Sequence, residues 1–130
     1  MSSTPPTSEP VKTGIAPWLS VSGATQAVDY YKTAFGAVER YRMADDQGEV
    51  QVARLSVGDA EFWLQQDNES SPDGQSVRMI LTVEDPDSLF AQAVAAGATV
   101  VADMYDGHGW HVGRIADPFG HHWEIGKPIR

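Results

Sequence analysis

The chain has no cysteine, so disulfides, thiol nucleophiles and zinc–thiolate centres are excluded by composition. Basic residues are scarce: nine Lys and Arg stand against 18 Asp and Glu, a formal net charge of −9 at pH 7. A nucleic-acid partner needs basic surface to neutralise phosphates, and none is expected here. Long apolar runs are also missing. Nothing approaches the roughly 20 residues that cross a bilayer as a helix, and no charged-then-apolar leader opens the chain, so no membrane association is expected and the expected location is cytoplasmic. The acids gather in turn-like stretches (Asp45, Asp46, Glu49; Asp67, Glu69; Glu84, Asp85, Asp87), where solvated charge supports solubility and favours cationic over anionic ligands.

What is present is an ordinary globular balance: 130 residues, 42% apolar and 21% charged, enough for one domain or two small halves sharing a core. Residues 1–13 are Ser, Thr and Pro with little to bury, and read as a disordered tail. From Ile15 to Val21 the side chains alternate as a strand, and Ser22-Gly23 breaks it. Ala24 to Phe35 has Ala27, Val28, Tyr31, Ala34 and Phe35 at helical spacing, with Gly36 as the stop. Strand-like segments follow at Ala37–Met43, Val50–Val57 and Glu61–Gln65. Residues 67–76 read as a linker.

The same order then restarts. Val77–Val83 alternates as a strand. Asp85 and Pro86 are an N-cap and first-turn residue for a helix to about Ala96. Thr99–Ala102, a loop through Asp106-Gly107-His108-Gly109, and His111–Ala116 lead to the turn Asp117-Pro118-Phe119-Gly120 and a last strand. Leu19-Ser20-Val21 matches Leu81-Thr82-Val83, Val52-Ala53-Arg54-Leu55 matches Val112-Gly113-Arg114-Ile115, and Phe62-Trp63-Leu64 matches Trp123-Glu124-Ile125, all at offsets near 60 residues. Such a repeat predicts an α+β fold of two βαβββ modules, residues 14–66 and 77–127, forming curved sheets around a shared cavity.

Alternation sorts the strand residues onto two faces. Leu19, Val21, Phe62, Leu64, Met79, Leu81, Trp123 and Ile125 belong to a core under the helices. Trp18, Ser20, Glu61, Trp63, Gln65, Arg78, Thr82, His122 and Glu124 share the other face, too polar for a core and too aromatic for free surface, as a cavity wall would be. Arg78 and Glu124, at corresponding ends of the modules' cavity strands, are expected to form an ion pair. Trp110, in a Gly-flanked loop, is expected at a lid or rim. The candidate ligand-binding residues are therefore Trp18, Trp63, Arg78, Trp110, His122 and Glu124. The four histidines make no compact metal set, whether as His108 with His111 or His122 with Glu124. His111 or His122 has the chemistry of a general base but lacks an evident electrophile stabiliser. Arg54 and Arg114 are repeat-equivalent and expected to pair with acids. Asp117 reads as a turn residue whose carboxylate accepts a local backbone N–H.

The double βαβββ pattern, Tyr-Tyr-Lys-x-x-Phe-Gly at Tyr30–Gly36 and Asp-Pro-Phe-Gly-His-x-Trp at Asp117–Trp123 resemble the vicinal oxygen chelate superfamily, which includes glyoxalase I, bleomycin-resistance proteins and extradiol dioxygenases. The resemblance covers nearly everything after residue 14. It implies four metal-ligand strand positions, which fall at Ala16, Trp63, Arg78 and Glu124; only Glu124 bears a ligand atom for a metal. The implied branch is thus the metal-free bleomycin-resistance type. Such a protein would be a homodimer without cofactor or catalytic residues, sequestering a planar, and on charge grounds cationic, natural product or metabolite. The alternative is a metal-dependent lyase, isomerase or dioxygenase of the glyoxalase kind, with Glu124 and a histidine in a rearranged site. A third reading is a stable domain with a vestigial cavity.

Overall fold

The computed structural model describes residues 15–69 and 78–129; the expected tail 1–13, and the linker beyond residue 69, lie outside the described residues. The first module runs β1 (Trp18–Val21), α1 (Ala24–Phe35), β2 (Val38–Ala44), β3 (Val50–Val57) and β4 (Ala60–Gln66). The second runs β5 (Arg78–Thr82), α2 (Pro86–Ala95), β6 (Thr99–Gly107), β7 (Trp110–Ala116) and β8 (His122–Pro128). Sheet orders are β1-β4-β3-β2 and β5-β8-β7-β6, the same topology twice. In each, the first strand pairs parallel to the last and the remaining ladders are antiparallel. The βαβββ repeat expected from the 60-residue offset is the observed architecture.

Local chemistry sets the helix ends. Asp85 caps α2 by accepting the Ser88 N–H at 3.2 Å, with Pro86 in the first turn. Gly23 has no side chain to cap α1, and Gln66 supplies the acceptor, its Oε1 taking the Ala24 N–H at 2.8 Å. Gly36 ends α1 in the left-handed region at φ 68° and donates to the Lys32 carbonyl, while the Ala37 N–H donates to the Tyr31 carbonyl.

Two boundaries differ from the sequence reading. β1 starts at Trp18 rather than Ile15, because Pro17 has no N–H to give a ladder; its carbonyl still accepts from Trp63 N at 2.9 Å, while Ile15 is 99% exposed and joins no core. β6 continues through Asp106 and Gly107, where a loop was expected. The β6–β7 connection is a two-residue turn with positive φ at both centres, His108 at 54° and Gly109 at 82°. That geometry follows strand twist and keeps Gly107 paired with Trp110.

Helix α1 lies on the first sheet, α2 on the second, and the helices join each other. Gln92 Nε2 donates to the Thr33 and Ala34 carbonyls at 3.0 and 3.1 Å, and Tyr30 Oη to the Ala93 carbonyl at 3.4 Å. Between them sits an aromatic core in which Tyr31 touches Phe35, Phe62, Phe119 and Trp123 with ring centroids 5.3–6.1 Å apart. The helices cover one face of each sheet. Val38, Tyr41 and Met43 of the first sheet and Val100, Val101 and Tyr105 of the second are left exposed.

Candidate functional site

Asp117 joins the two modules. Its carboxylate is 4% exposed and accepts four hydrogen bonds. Oδ1 takes the Phe119 and His121 N–H groups at 2.9 Å each, which is the turn role expected from Asp-Pro-x-Gly. Oδ2 takes Tyr31 Oη at 2.5 Å and Trp123 Nε1 at 2.8 Å. Burial first, then the Asp117 charge, pushes the Tyr31 phenol well above its ordinary value, so it stays a donor. Beside this group, His121 Nε2 donates to the Ser20 carbonyl of β1 at 3.0 Å. Neither tertiary partnership was expected from the sequence: Tyr31 lies 86 positions from Asp117, and a turn motif reports only its neighbours.

An open cleft of about 1110 Å³ is lined from both sheets, by Ala16, Trp18 and Trp63 on one side and Arg78 and Ile80 on the other. Trp18, the first residue of β1, is 51% exposed yet fixed. Its ring stacks on its register partner Trp63 at 5.7 Å and 24°, and its Nε1–H donates to Gln65 Oε1 at 2.9 Å. Strand register extends this pair across the sheet as the row Trp18, Trp63, Arg54, Tyr41. The Arg54 guanidinium lies 5.5 Å from the Trp63 centroid and the Tyr41 ring 6.0 Å away. Trp63 is therefore occupied by its neighbours, and Trp18 is the indole with a face to offer. Alternation could not separate the two roles, because both residues point the same way.

Arg78 and Glu124 form the expected ion pair, Nη1 to Oε2 at 3.0 Å. The pair lies within one module, however, not across two. Arg78 sits opposite His122 and Ile80 opposite Glu124 on the parallel strands β5 and β8, so the contact is diagonal. Arg78 lines the cleft and Glu124 stands behind it.

The four positions where the fold's metalloenzymes would draw ligands hold a methyl group, an indole, a guanidinium and a carboxylate already engaged by that guanidinium. Such a set does not fit a divalent ion. Among the described residues, no group of three or more His, Asp and Glu is arranged to hold one.

The remaining expectations fall elsewhere. Trp110 is no lid: it opens β7 opposite Gly107 and Pro128 and does not line the cleft, because the tight β6–β7 turn draws it into the sheet. His122 is half-buried outside the cleft, and its Nδ1 accepts from Arg114 Nε at 3.0 Å. Arg114 thus pairs with an imidazole where an acid was expected, and Arg54 reaches Glu61 only at 4.0 Å. His111 is clamped between carboxylates, Nε2 to Asp87 at 2.9 Å and Nδ1 to Asp106 at 2.6 Å. The Asp87 and then the Asp106 hydrogen bond raise its pKa, which favours imidazolium, and both ring nitrogens are already engaged by carboxylates.

Residues 18–126 match the family model of the glyoxalase-like domain. An uncharacterised protein of Mycobacterium bovis is 37% identical over 131 residues, covering 92% of this chain and 86% of that protein. Among solved structures, TioX from Micromonospora sp. ML1 superposes with a TM-score of 0.73 at 25% identity, over 91% of this chain and 98% of TioX. A bleomycin-binding protein complexed with bleomycin superposes with a TM-score of 0.72 at 15% identity, over 89% and 98%; at that identity the likeness is one of fold.

Proposed function

The chain belongs to the glyoxalase-like domain family, and from that membership we propose that it is a metal-free small-molecule-binding protein that sequesters a planar natural product or metabolite, neutral or cationic. One observation carries the reading: where the fold's metalloenzymes gather donors, this chain has two stacked indoles facing an arginine–carboxylate pair across a cleft. A half-exposed indole, held by a stack and a hydrogen bond, is a rigid apolar platform that loses little entropy on meeting a flat ring. Asp59 and Glu61 also line the cleft, which accounts for tolerance of positive charge. The bleomycin-binding relative in its complex supports small-molecule binding as the use of this fold.

In this proposal Trp18 is the stacking surface, Trp63 and Gln65 hold it, and Arg78 with Glu124 closes the opposite wall. The helix-free faces of the sheets, the first of which carries the Trp18–Trp63–Arg54–Tyr41 row, expose Val38, Tyr41 and Met43 on the first sheet and Tyr105 on the second. Such faces are ordinarily covered, and we assign the cover to a second copy of the chain, giving a homodimer.

The test is a tryptophan-fluorescence titration of chelator-stripped protein with the planar cation proflavine, beside calorimetric titration with Ni²⁺, Zn²⁺ and Mn²⁺. The reading expects saturable quenching that weakens about tenfold or more in Trp18→Ala, and no saturable heat with metal. Tight stoichiometric metal binding abolished by Glu124→Ala would return the metalloenzyme alternative to first place.

A further inference from the structure

Trp18 and Arg78 each open an edge strand, β1 of one sheet and β5 of the other, and both strands border the same cleft. One wall is therefore an aromatic face and the other a hydrogen-bonding group. Resting on the proposed planar ligand, we infer that Arg78 reads a ring carbonyl on that ligand, and that Glu124 tunes it to prefer a neutral carbonyl over a carboxylate.

Guanidinium carries five N–H donors, and Arg78 commits Nη1 to Glu124. Its side chain is half exposed, so donors remain for the cleft. Hydrogen-bonding capacity and net charge are separable here. The adjacent Glu124 carboxylate largely cancels the field of the guanidinium but leaves its outward N–H groups polarised. The charges around it point the same way. Asp59 lines the cleft without a partner among the described residues, and Glu61 has only Arg54 at 4.0 Å. A ligand carboxylate would meet a neutralised arginine and two acids. A carbonyl oxygen accepts the same N–H groups without that repulsion. The ligand class is thus a flat heteroaromatic ketone or lactam, neutral or cationic, and not an aromatic acid. Glu124 is a positioning residue in this scheme, acting through Arg78.

Three tricyclic probes of nearly one shape separate the possibilities by tryptophan quenching: acridone, with a ring carbonyl; acridine, without one; and acridine-9-carboxylate. Wild type is expected to bind acridone about tenfold tighter than acridine, as befits a hydrogen bond from a charged donor, and the carboxylate weakest. Arg78→Met should remove the acridone advantage, bringing acridone and acridine to equal affinity. Glu124→Gln should improve binding of the carboxylate by about tenfold while holding acridone within a few-fold, a reversal that simple loss of packing would not produce. Equal affinity of wild type for acridone and acridine, with both weakened by Trp18→Ala, overturns the carbonyl inference and leaves the planar-binding reading standing. Absence of saturable quenching by all three, or binding indifferent to Trp18→Ala, overturns both.

Discussion

At the scale of single residues, the most consequential side chain is Asp117. Removing its carboxylate would leave Tyr31 Oη, Trp123 Nε1 and two backbone N–H groups without acceptors in the core. Asp117→Ala should therefore cost on the order of 3–5 kcal/mol in urea denaturation, and Tyr31→Phe, which removes one donor and keeps the ring, on the order of 1–2 kcal/mol. A Tyr31→Phe loss near zero would show that Asp117 serves the turn alone. The turn role was readable from Asp-Pro-Phe-Gly. The Tyr31 contact was not, because it exists only after the modules pack, and a local motif has no term for a partner from the other half of the chain.

At the scale of elements, the His111 clamp ties the β6–β7 hairpin to the first turn of α2. Asp106 of β6 and Lys127 of β8 are its cross-strand neighbours, Asp87 comes from α2, and the Lys127 ammonium is drawn off to the Glu84 carbonyl at 3.0 Å. The histidine's folded pKa is raised, so its stabilisation is fully present below the unfolded value near 6.5 and is lost as pH rises through the higher folded value. Thermal melts of wild type and His111→Gln should differ at pH 6 and converge at pH 9. A difference that grew with pH would mean that imidazolium is not the form the clamp holds.

The ladder beside that clamp has no space for a methyl group at Gly126. A Cβ there would meet the His111 carbonyl at 2.5 Å and Val112 Cβ at 2.8 Å. Gly126→Ala should destabilise the domain by roughly 1–3 kcal/mol in urea denaturation despite ordinary backbone angles. Element types along the chain followed from period and punctuation. The two misplaced boundaries have physical causes that periodicity does not encode: Pro17 withholds a donor from an otherwise alternating run, and a positive φ at His108 lets a tight turn replace the loop that Gly-His-Gly suggests.

For the whole molecule, the repeat was the strongest signal, since the same strand order occurs in both sheets and one offset relates them. Which face of each sheet lies under a helix was also legible, because Leu19, Leu64, Leu81 and Ile125 are buried as alternation required. The assembly implied by the other faces is testable. Light scattering coupled to size-exclusion chromatography should give twice the 14.1 kDa chain mass for wild type, and Tyr41→Asp with Tyr105→Asp should return the single-chain mass. A monomeric wild type would remove the homodimer from the proposal.

The duplicated plan also bears on how such a protein changes over generations. The Asp117 joint lies among buried core residues, while Trp18 and Arg78 stand at the exposed starts of separate sheets. Substitutions that refit one wall to a new compound leave the opposite wall and the seam between the halves in place. Descendants of one such gene can thus diverge in what they capture by altering a single half, with the other serving as an inherited constant.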